Sequence, residues 1–346
     1  MVRRFALALL LVVAAGCTAT SAAPAANATP PSPSTSSVPS PVASAKGWLA
    51  YQAPGASGDD GTFLVHVDGT DDHEVFLKVP GRHDHPDFSR DGKRLAFDQL
   101  AENSPGQVYI ATADGSGPRI IARCPWPECE LGEPAWSPDG KRLAVAIATE
   151  LQPDAPPNRM GLAIIDVARQ TRQQIVDHTA QAGQDHFPRW SADGRRLVFW
   201  RYRERSAGIQ TAVFVVNVDG TGLRQLTPWS MLAGDPDWSP DGSIIVFNTR
   251  PLVDFPDAGQ SELYIIRPDG TGLRRLTAYG PDGPRATQPR WTPDGKAILY
   301  TRTAQTGHPR HIYAINADGT DDAPVLTAKP IYTHPILQPT PNQEIP

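Results

Sequence analysis

Short apolar runs bounded by turn residues recur along this chain at a near-constant spacing. Residues 85–97, 133–145, 187–199, 235–247 and 288–300 read HPDFSRDGKRLAF, EPAWSPDGKRLAV, FPRWSADGRRLVF, DPDWSPDGSIIVF and QPRWTPDGKAILY, and a degraded copy, HPILQPTPNQEI, starts at His334. The aligned aromatic or aliphatic anchor is Phe88, Trp136, Trp190, Trp238, Trp291 and Leu337, in steps of 48, 54, 48, 53 and 46 residues. A period of about 50 residues is the mark of stacked structural repeats.

One unit shows what each repeat builds. Asp235–Ser239 predicts a short strand A, and Pro240-Asp241-Gly242 a tight turn: Pro suits its first central position, Asp bonds locally and Gly accepts positive φ. Ser243–Asn248, rich in β-branched and aromatic residues, predicts strand B. After a variable stretch, Glu262–Arg267 reads as strand C, Pro268-Asp269-Gly270-Thr271 as a second turn and Leu273–Thr277 as strand D. Near-continuous apolar B and C strands must be covered on both faces, and radial stacking of four-stranded antiparallel sheets does this, giving an all-β propeller.

The second turn counts the blades. It occurs at Asp68-Gly69, Asp114-Gly115, Asp219-Gly220, Asp269-Gly270 and Asp318-Gly319, with Asp166-Val167-Ala168-Arg169 in its place in the third unit, so six blades are expected. The first unit begins at Trp48 with strand B and has no strand A. The orphan copy at Thr333–Leu337 supplies one, so the C-terminal strand should join blade 1 and close the ring.

The repeats WSPDGKRLAV (136–145) and LYIIRPDGTGLRRLT (263–277) resemble the TolB-like, WD-type propeller repeat, over about residues 47–339. The resemblance implies the fold. For function it implies several roles, since such repeats occur in binding modules, envelope scaffolds and the propeller domains of some peptidases. TolB proteins carry an α/β domain before the propeller. Residues 18–46 are too short and too rich in Pro and Ser to form one, which weighs against a Tol–Pal role.

The rest of the chain reads as targeting and tether. Arg3 and Arg4 precede an apolar stretch, Phe5–Val13, too short to span a bilayer, and then Ala14-Ala15-Gly16-Cys17. This resembles a bacterial lipobox, so residues 1–16 are expected to be a signal peptide and Cys17 the lipidated N-terminus. Residues 17–46, built mainly of Ala, Pro, Ser and Thr, would be the tether. Residues 340–346 are a C-terminal tail. This organisation resembles that of an actinobacterial surface lipoprotein and predicts an extracytoplasmic protein anchored to the cell membrane. Cys124 and Cys129, in CPWPEC, are expected to form a disulfide, with half of a zinc site as the alternative. The formal charge of −5 argues against nucleic-acid binding.

In an up-and-down blade the A–B and C–D turns lie at one end and the B–C and D–A loops at the other. The tight turns therefore form one uniform face, and the long variable segments form the natural binding face. Two sets of candidates fall on it. The first surrounds the central channel: Asp84, His85, Glu133, Asp185, His186, Asp235, Gln288 and His334, with His83 and Asp87 close by. Imidazoles and carboxylates around one axis suggest a divalent cation, with His85, Asp235 and His334 as its candidate ligands; polar lining with water is the competing expectation. No other cofactor is expected. The second set is Arg201, Arg203, Arg250 and Arg302 at the tops of B strands, suited to a carboxylate or phosphate, or else paired with Glu204, Asp254 and Asp257. Trp200, Tyr202 and Phe255 are expected to be exposed beside them, and Trp126 and Trp229 lie on linking loops of the same face.

No Gly-x-Ser-x-Gly elbow is present. The expected function is a non-catalytic binding or scaffold module, monomeric, for a protein, peptide or cell-envelope ligand, acting through its loop-rich face and channel mouth and touching the membrane through the lipid anchor only. The alternative is a propeller lyase or hydrolase on an envelope or extracellular polymer, using His85, His186 and His334 with an arginine.

Overall fold

The computed structural model describes residues 40–100, 106–124, 129–149, 159–179, 183–206, 208–249, 261–280, 282–304, 309–329 and 332–340. They form six four-stranded antiparallel sheets, each a consecutive A–B–C–D meander except the first. The innermost strands are Arg82–Phe88, Cys129–Trp136, Gln184–Trp190, Ala233–Trp238, Arg285–Trp291 and Thr333–Leu337, in blades 2 to 6 and then blade 1. The last pairs with Trp48–Pro54, with Leu337 opposite Leu49, so the ring closes by joining the two ends of the chain. Among the described residues the one helical element is a 3-10 turn at Trp229–Met231.

Apolar positions explain why the sheets stand side by side. Alternate residues of each B strand face opposite neighbours: Leu95 and Phe97 pack toward blade 1, while Ala96 packs toward blade 3. The core is thus six separate inter-blade clusters, one per junction. The anchors Phe88, Trp136, Trp190, Trp238, Trp291 and Leu337 are all buried in these junctions. Three tryptophans also carry an arginine of the preceding blade on their rings: Arg94 over Trp136 at 4.2 Å, Arg142 over Trp190 at 4.7 Å and Arg196 over Trp238 at 5.1 Å.

The Ser-x-Asp-Gly turns are self-contained. In blade 3 the Ser137 hydroxyl donates to Asp139, whose Oδ1 also accepts from the Lys141 backbone N–H, and Gly140 takes φ +64°. Equivalent bonds recur at Ser89, Ser191, Ser239 and Thr292. The third blade's irregular C–D turn is held by Asp166, which accepts from Ala168 and Arg169, and Gln170 takes the left-handed conformation that glycine supplies elsewhere.

Two boundaries differ from the sequence expectation. The outer strand of blade 5 is only Arg274–Arg275, because beyond this pair Leu276 and Thr277 bond back to Leu263 as a continuation without ladder. The folded body also starts before residue 47. Val42 is 4% exposed and packs in the junction between blades 6 and 1, and the turn it belongs to is closed by Ala43 and Ala45 N–H donors.

Two variants test this reading by denaturant unfolding. Trp190→Ala should cost about 3–5 kcal/mol, the range for an emptied aromatic site. Leu337→Asp, which places a charge where the ring closes, should abolish cooperative unfolding and yield concentration-dependent aggregates; retention of a wild-type midpoint would refute the closure.

The central channel and the loop face as candidate functional sites

Each innermost strand is interrupted by a bulge, seen as a register shift between Asp84 and Asp87, Gly132 and Ala135, His186 and Arg189, Gly234 and Asp237, Thr287 and Arg290, and Thr333 and Ile336. The bulged residue is the one before each repeated proline: His85, Glu133, Phe187, Asp235, Gln288 and His334, all with φ between +47° and +57°. None is glycine, and each such residue costs on the order of 1–3 kcal/mol of backbone strain. The bulge frees backbone N–H groups, and the preceding blade supplies the acceptors. Phe187 N–H donates to Glu133 Oε2 at 2.6 Å, Gln288 N–H to Asn248 Oδ1 at 3.2 Å and His334 N–H to Gln288 Oε1 at 3.2 Å. One step further along, Trp136 N–H donates to Asp87 at 2.8 Å and Trp291 N–H to Asp237 at 2.9 Å.

The bulges aim side chains into the channel, and these nearly fill it. The His85 ring meets Phe187 and His334 edge-on, with centroids 5.0 Å away in each case, and Phe187 stacks on His334 at 5.6 Å. About 20 Å³ of water-accessible space remains among His85, Phe187, Arg189, Asp235, Arg290 and His334, room for about one water. Phe187, not His186, is therefore the channel residue of blade 4. His186 turns into the wall, where it stacks on Trp200 and bonds Glu133 Oε1 at 3.0 Å.

A second ring lies beside the first, and of its members only Asp87 is placed near the channel by the sequence alone. It consists of Asp87, Ala135, Arg189, Asp237, Arg290 and Ile336, one residue beyond each proline. Arg290 bridges Asp87 and Asp237, and Arg189, buried beside it, donates to the Pro188 carbonyl at 3.0 Å. The signal was present as an aligned column reading D, A, R, D, R, I. It shows a charge pattern only when the copies are compared across the ring.

Burial and pairing set the charge states. Burial alone would lower the His85 pKa, but Asp98, bonded to its Nδ1 at 2.9 Å, raises it to about 9. Burial pushes Asp235 up to about 7, with the Glu133 charge adding to it, and burial likewise pushes Asp84 up to about 7. Glu133 goes the other way: burial opposes its ionisation, but His186 and the Phe187 N–H hold it below the usual range. Burial and the neighbouring His85 charge hold His334 well below its ordinary value. Arg189 is lowered to about 10 by burial and by Arg290.

The expected cation ligands do not form a metal cage. His85 and His334 face each other through their rings, and His85 Nδ1 is taken by Asp98. Among the described residues no group of three or more His, Cys, Asp or Glu is arranged to hold a metal ion. His83, too, is wall rather than channel, bonded to the Val79 carbonyl at 2.7 Å. Cys124 and Cys129 are joined as a disulfide, with Cα atoms 5.3 Å apart.

The arginines of the loop face do not converge. Arg201 makes two bonds to Asp185, at 2.6 and 3.0 Å. Arg203 donates to Gln210 at 2.9 Å and lies over the Trp229 ring at 3.6 Å. Arg302 lies against Tyr279 and Tyr313, 4.7 and 4.6 Å from their centroids, with Asp322 at 3.5 Å. These partners replace the expected Glu204, and Arg250, Asp254, Asp257, Phe255 and Trp126 lie outside the described residues. Trp200, expected to be exposed, is 2% exposed, because it faces the junction of blades 4 and 5. Tyr202 and Trp229 are half-buried. What projects is the blade 4 hairpin, Arg196–Arg205 and Gly208–Asn217, two ten-residue strands whose tips pass the end of the innermost strand's pairing at Gln184–Tyr202.

A family model described as the TolB β-propeller domain matches residues 64–250, just over half of the chain. The protein belongs to the TolB β-propeller domain family. Its sequence is 27% identical over 217 residues to an uncharacterised protein of Agrobacterium fabrum, covering 62% of this chain and 68% of that one. It is 26% identical over 175 residues to the uncharacterised peptidase YuxL of Bacillus subtilis, covering 51% of this chain but only 23% of the peptidase. The fold is similar to that of TolB from Acinetobacter baumannii, with a TM-score of 0.63 and 17% identity, over 84% of this chain and 66% of that chain. It is also similar to a TolB-like protein from Agrobacterium tumefaciens, described as putative TolB, with a TM-score of 0.60 and 18% identity, over 86% and 94%.

The channel makes the fold sensitive to alkali. The His85–Asp98 pair stabilises fully below about pH 6.5, the ordinary histidine value, and its contribution is lost as pH rises through about 9. Asp235, with a raised pKa, disfavours the fold increasingly as pH rises from the ordinary carboxylate range through about 7. Asp235→Asn should therefore unfold like wild type at pH 4, and its advantage should grow to on the order of 2–4 kcal/mol at pH 8. Denaturant melts at the two pH values check this, and an equal effect at both would refute it.

Proposed function

We propose that this protein is a membrane-anchored extracytoplasmic propeller that binds a protein or peptide of the cell envelope through its loop face, without chemistry of its own. The observation that carries the reading is the contrast between channel and face. The channel's ionisable groups are engaged with one another, across blades in His186–Glu133 and Arg290–Asp87 and within blade 2 in His85–Asp98, around a water-sized space. The loop face instead offers a projecting blade 4 hairpin and, at its base, Arg203 laid on Trp229. Arginine on tryptophan is the side-chain chemistry that dominates protein-binding hot spots. The likeness to TolB structures supports a binding role for the ring. The lipobox-like Ala15-Gly16-Cys17 and the tether after it support anchoring at the outer side of the cell membrane.

The full chain, crosslinked in its own cell envelope, should capture one saturable partner. Arg203→Ala combined with Trp229→Ala should weaken that capture roughly tenfold or more, the loss expected of a hot-spot pair. Cys17→Ala should release the chain from the membrane fraction. Turnover of an envelope glycan or peptide by the purified chain, with no saturable partner, would overturn the reading in favour of a channel enzyme using His85, His186 or His334.

A further inference from the structure

One charged group near the axis is an exception to the pairing of the channel. His85 has Asp98, His186 has Glu133, and Arg290 has Asp87 and Asp237. Arg189 has no such partner. Its side chain is buried, at 7% exposure, and it donates from Nη1 to the carbonyl of Pro188, the residue before it, at 3.0 Å. Among the described residues no carboxylate pairs with it. A guanidinium carries more N–H donors than one carbonyl can accept, and a buried cation without a counter-charge is costly.

The fold sets what Arg189 faces. It stands just past the bulge of blade 4 and lines the space of about 20 Å³ on the axis with His85, Phe187, Asp235, Arg290 and His334. The rings of His85, Phe187 and His334 close that space toward the loop face. Arg290 and the charged His85 line it, and His334, held well below its ordinary pKa by burial and by His85, is neutral. Asp235 is the one carboxyl in this lining. Burial, then the Glu133 charge, raises its pKa to about 7 against Asn248, Arg189 and His186, so below that pH it keeps its proton and offers an O–H. The other carboxylates stand behind the lining and are already bonded. Asp98 holds His85, Asp87 holds the Trp136 N–H and Arg290, Asp237 holds the Trp291 N–H, and Glu133 holds the Phe187 N–H and His186. At Arg189 the pull of Asp87, Asp237 and Glu133 is outweighed by burial and by Arg290, which lower its pKa to about 10. It therefore stays charged near neutral pH, with its own charge uncompensated.

We propose that this space is a binding site for a single monatomic anion, chloride, held on the axis by the Arg189 guanidinium with His85 and Arg290 beside it. Size selects the ion. Room for about one water admits chloride or bromide and excludes phosphate, sulfate and carboxylates, each of several heavy atoms. The ion gives Arg189 the counter-charge that no side chain supplies. It also touches side chains of blades 2, 4 and 6, which share no sheet, and so ties strands that no backbone bond joins. The site is independent of what the loop face binds.

The test titrates the full chain at pH 6 with sodium chloride against sodium gluconate at constant ionic strength. Chloride NMR should show a saturable line broadening that bromide removes by competition. The denaturant midpoint should rise with chloride and not with gluconate, as for any ligand of the native state alone. No saturable broadening, with equal midpoints in the two salts, overturns the site and leaves the space to water. Arg189→Met should weaken chloride binding roughly tenfold or more; unchanged broadening in that variant overturns the role of Arg189. Should Arg189→Met fail to fold, crystals of the wild-type chain grown in sodium bromide decide. An anomalous peak on the axis, within hydrogen-bond reach of the Arg189 guanidinium, supports the site; no peak there, or peaks at surface arginines alone, overturns it.

Discussion

Six bulged residues before six prolines hold this molecule together around its axis. Each would relax if its strand stood alone, because a non-glycine residue at positive φ has little to gain locally. What over-determines the conformation is the neighbouring blade. Glu133 accepts the Phe187 N–H, Asn248 that of Gln288, and Gln288 that of His334. The strain in blades 4, 6 and 1 is thus offset by hydrogen bonds from the blade before each. Such a device works only in a closed ring, which is why the Leu337–Leu49 pairing matters beyond the edge it removes.

The same constraint explains the chemistry of the channel. Side chains that cap a neighbour's backbone must be polar and must be buried, and burying them unpaired would be costly. They are accordingly satisfied by each other. Asp87 serves the Trp136 N–H and Arg290 at once, and Glu133 serves the Phe187 N–H and His186. A histidine near a carboxylate in a pocket suggests acid–base chemistry, and here Asp87 and Glu133 also hold a neighbouring blade's backbone N–H. Perturbed ionisation marks functional sites and ion-pair networks alike.

Much of this was readable from the repeats. The six blades, the closing strand, the role of the anchor tryptophans as packing and the separation of a uniform from a variable face all follow from spacing and turn chemistry, since these depend on residues close in sequence. The side-chain destinations do not. Its place two residues before Pro188 predicts His186 in the channel, but the bulge rotates the strand by one position and puts Phe187 there. The sequence predicts Trp200 at the exposed end of its strand, yet the strand runs on to Arg205 and its alternation parity points Trp200 into the next blade. The partners of Arg203 and Arg302 come from the D–A link or neighbouring strands and are set by the packing of blades, which no local pattern encodes.

Where a ring is closed decides which way it can face. Splitting a blade between its strands A and B leaves the incoming chain at the start of B and the outgoing chain at the end of A, and both lie at the turn end of the sheet. A split between B and C would have put both on the loop face, where a tether would crowd the surface that differs most between copies. The closure seen here, with Gln338 bonded to Trp48 and Val42 folded beneath blades 6 and 1, leaves that surface clear. The Ser-x-Asp-Gly turn then serves two ends: its aspartate ties the corner, and the basic residue after its glycine stands outward on the side where the chain arrives.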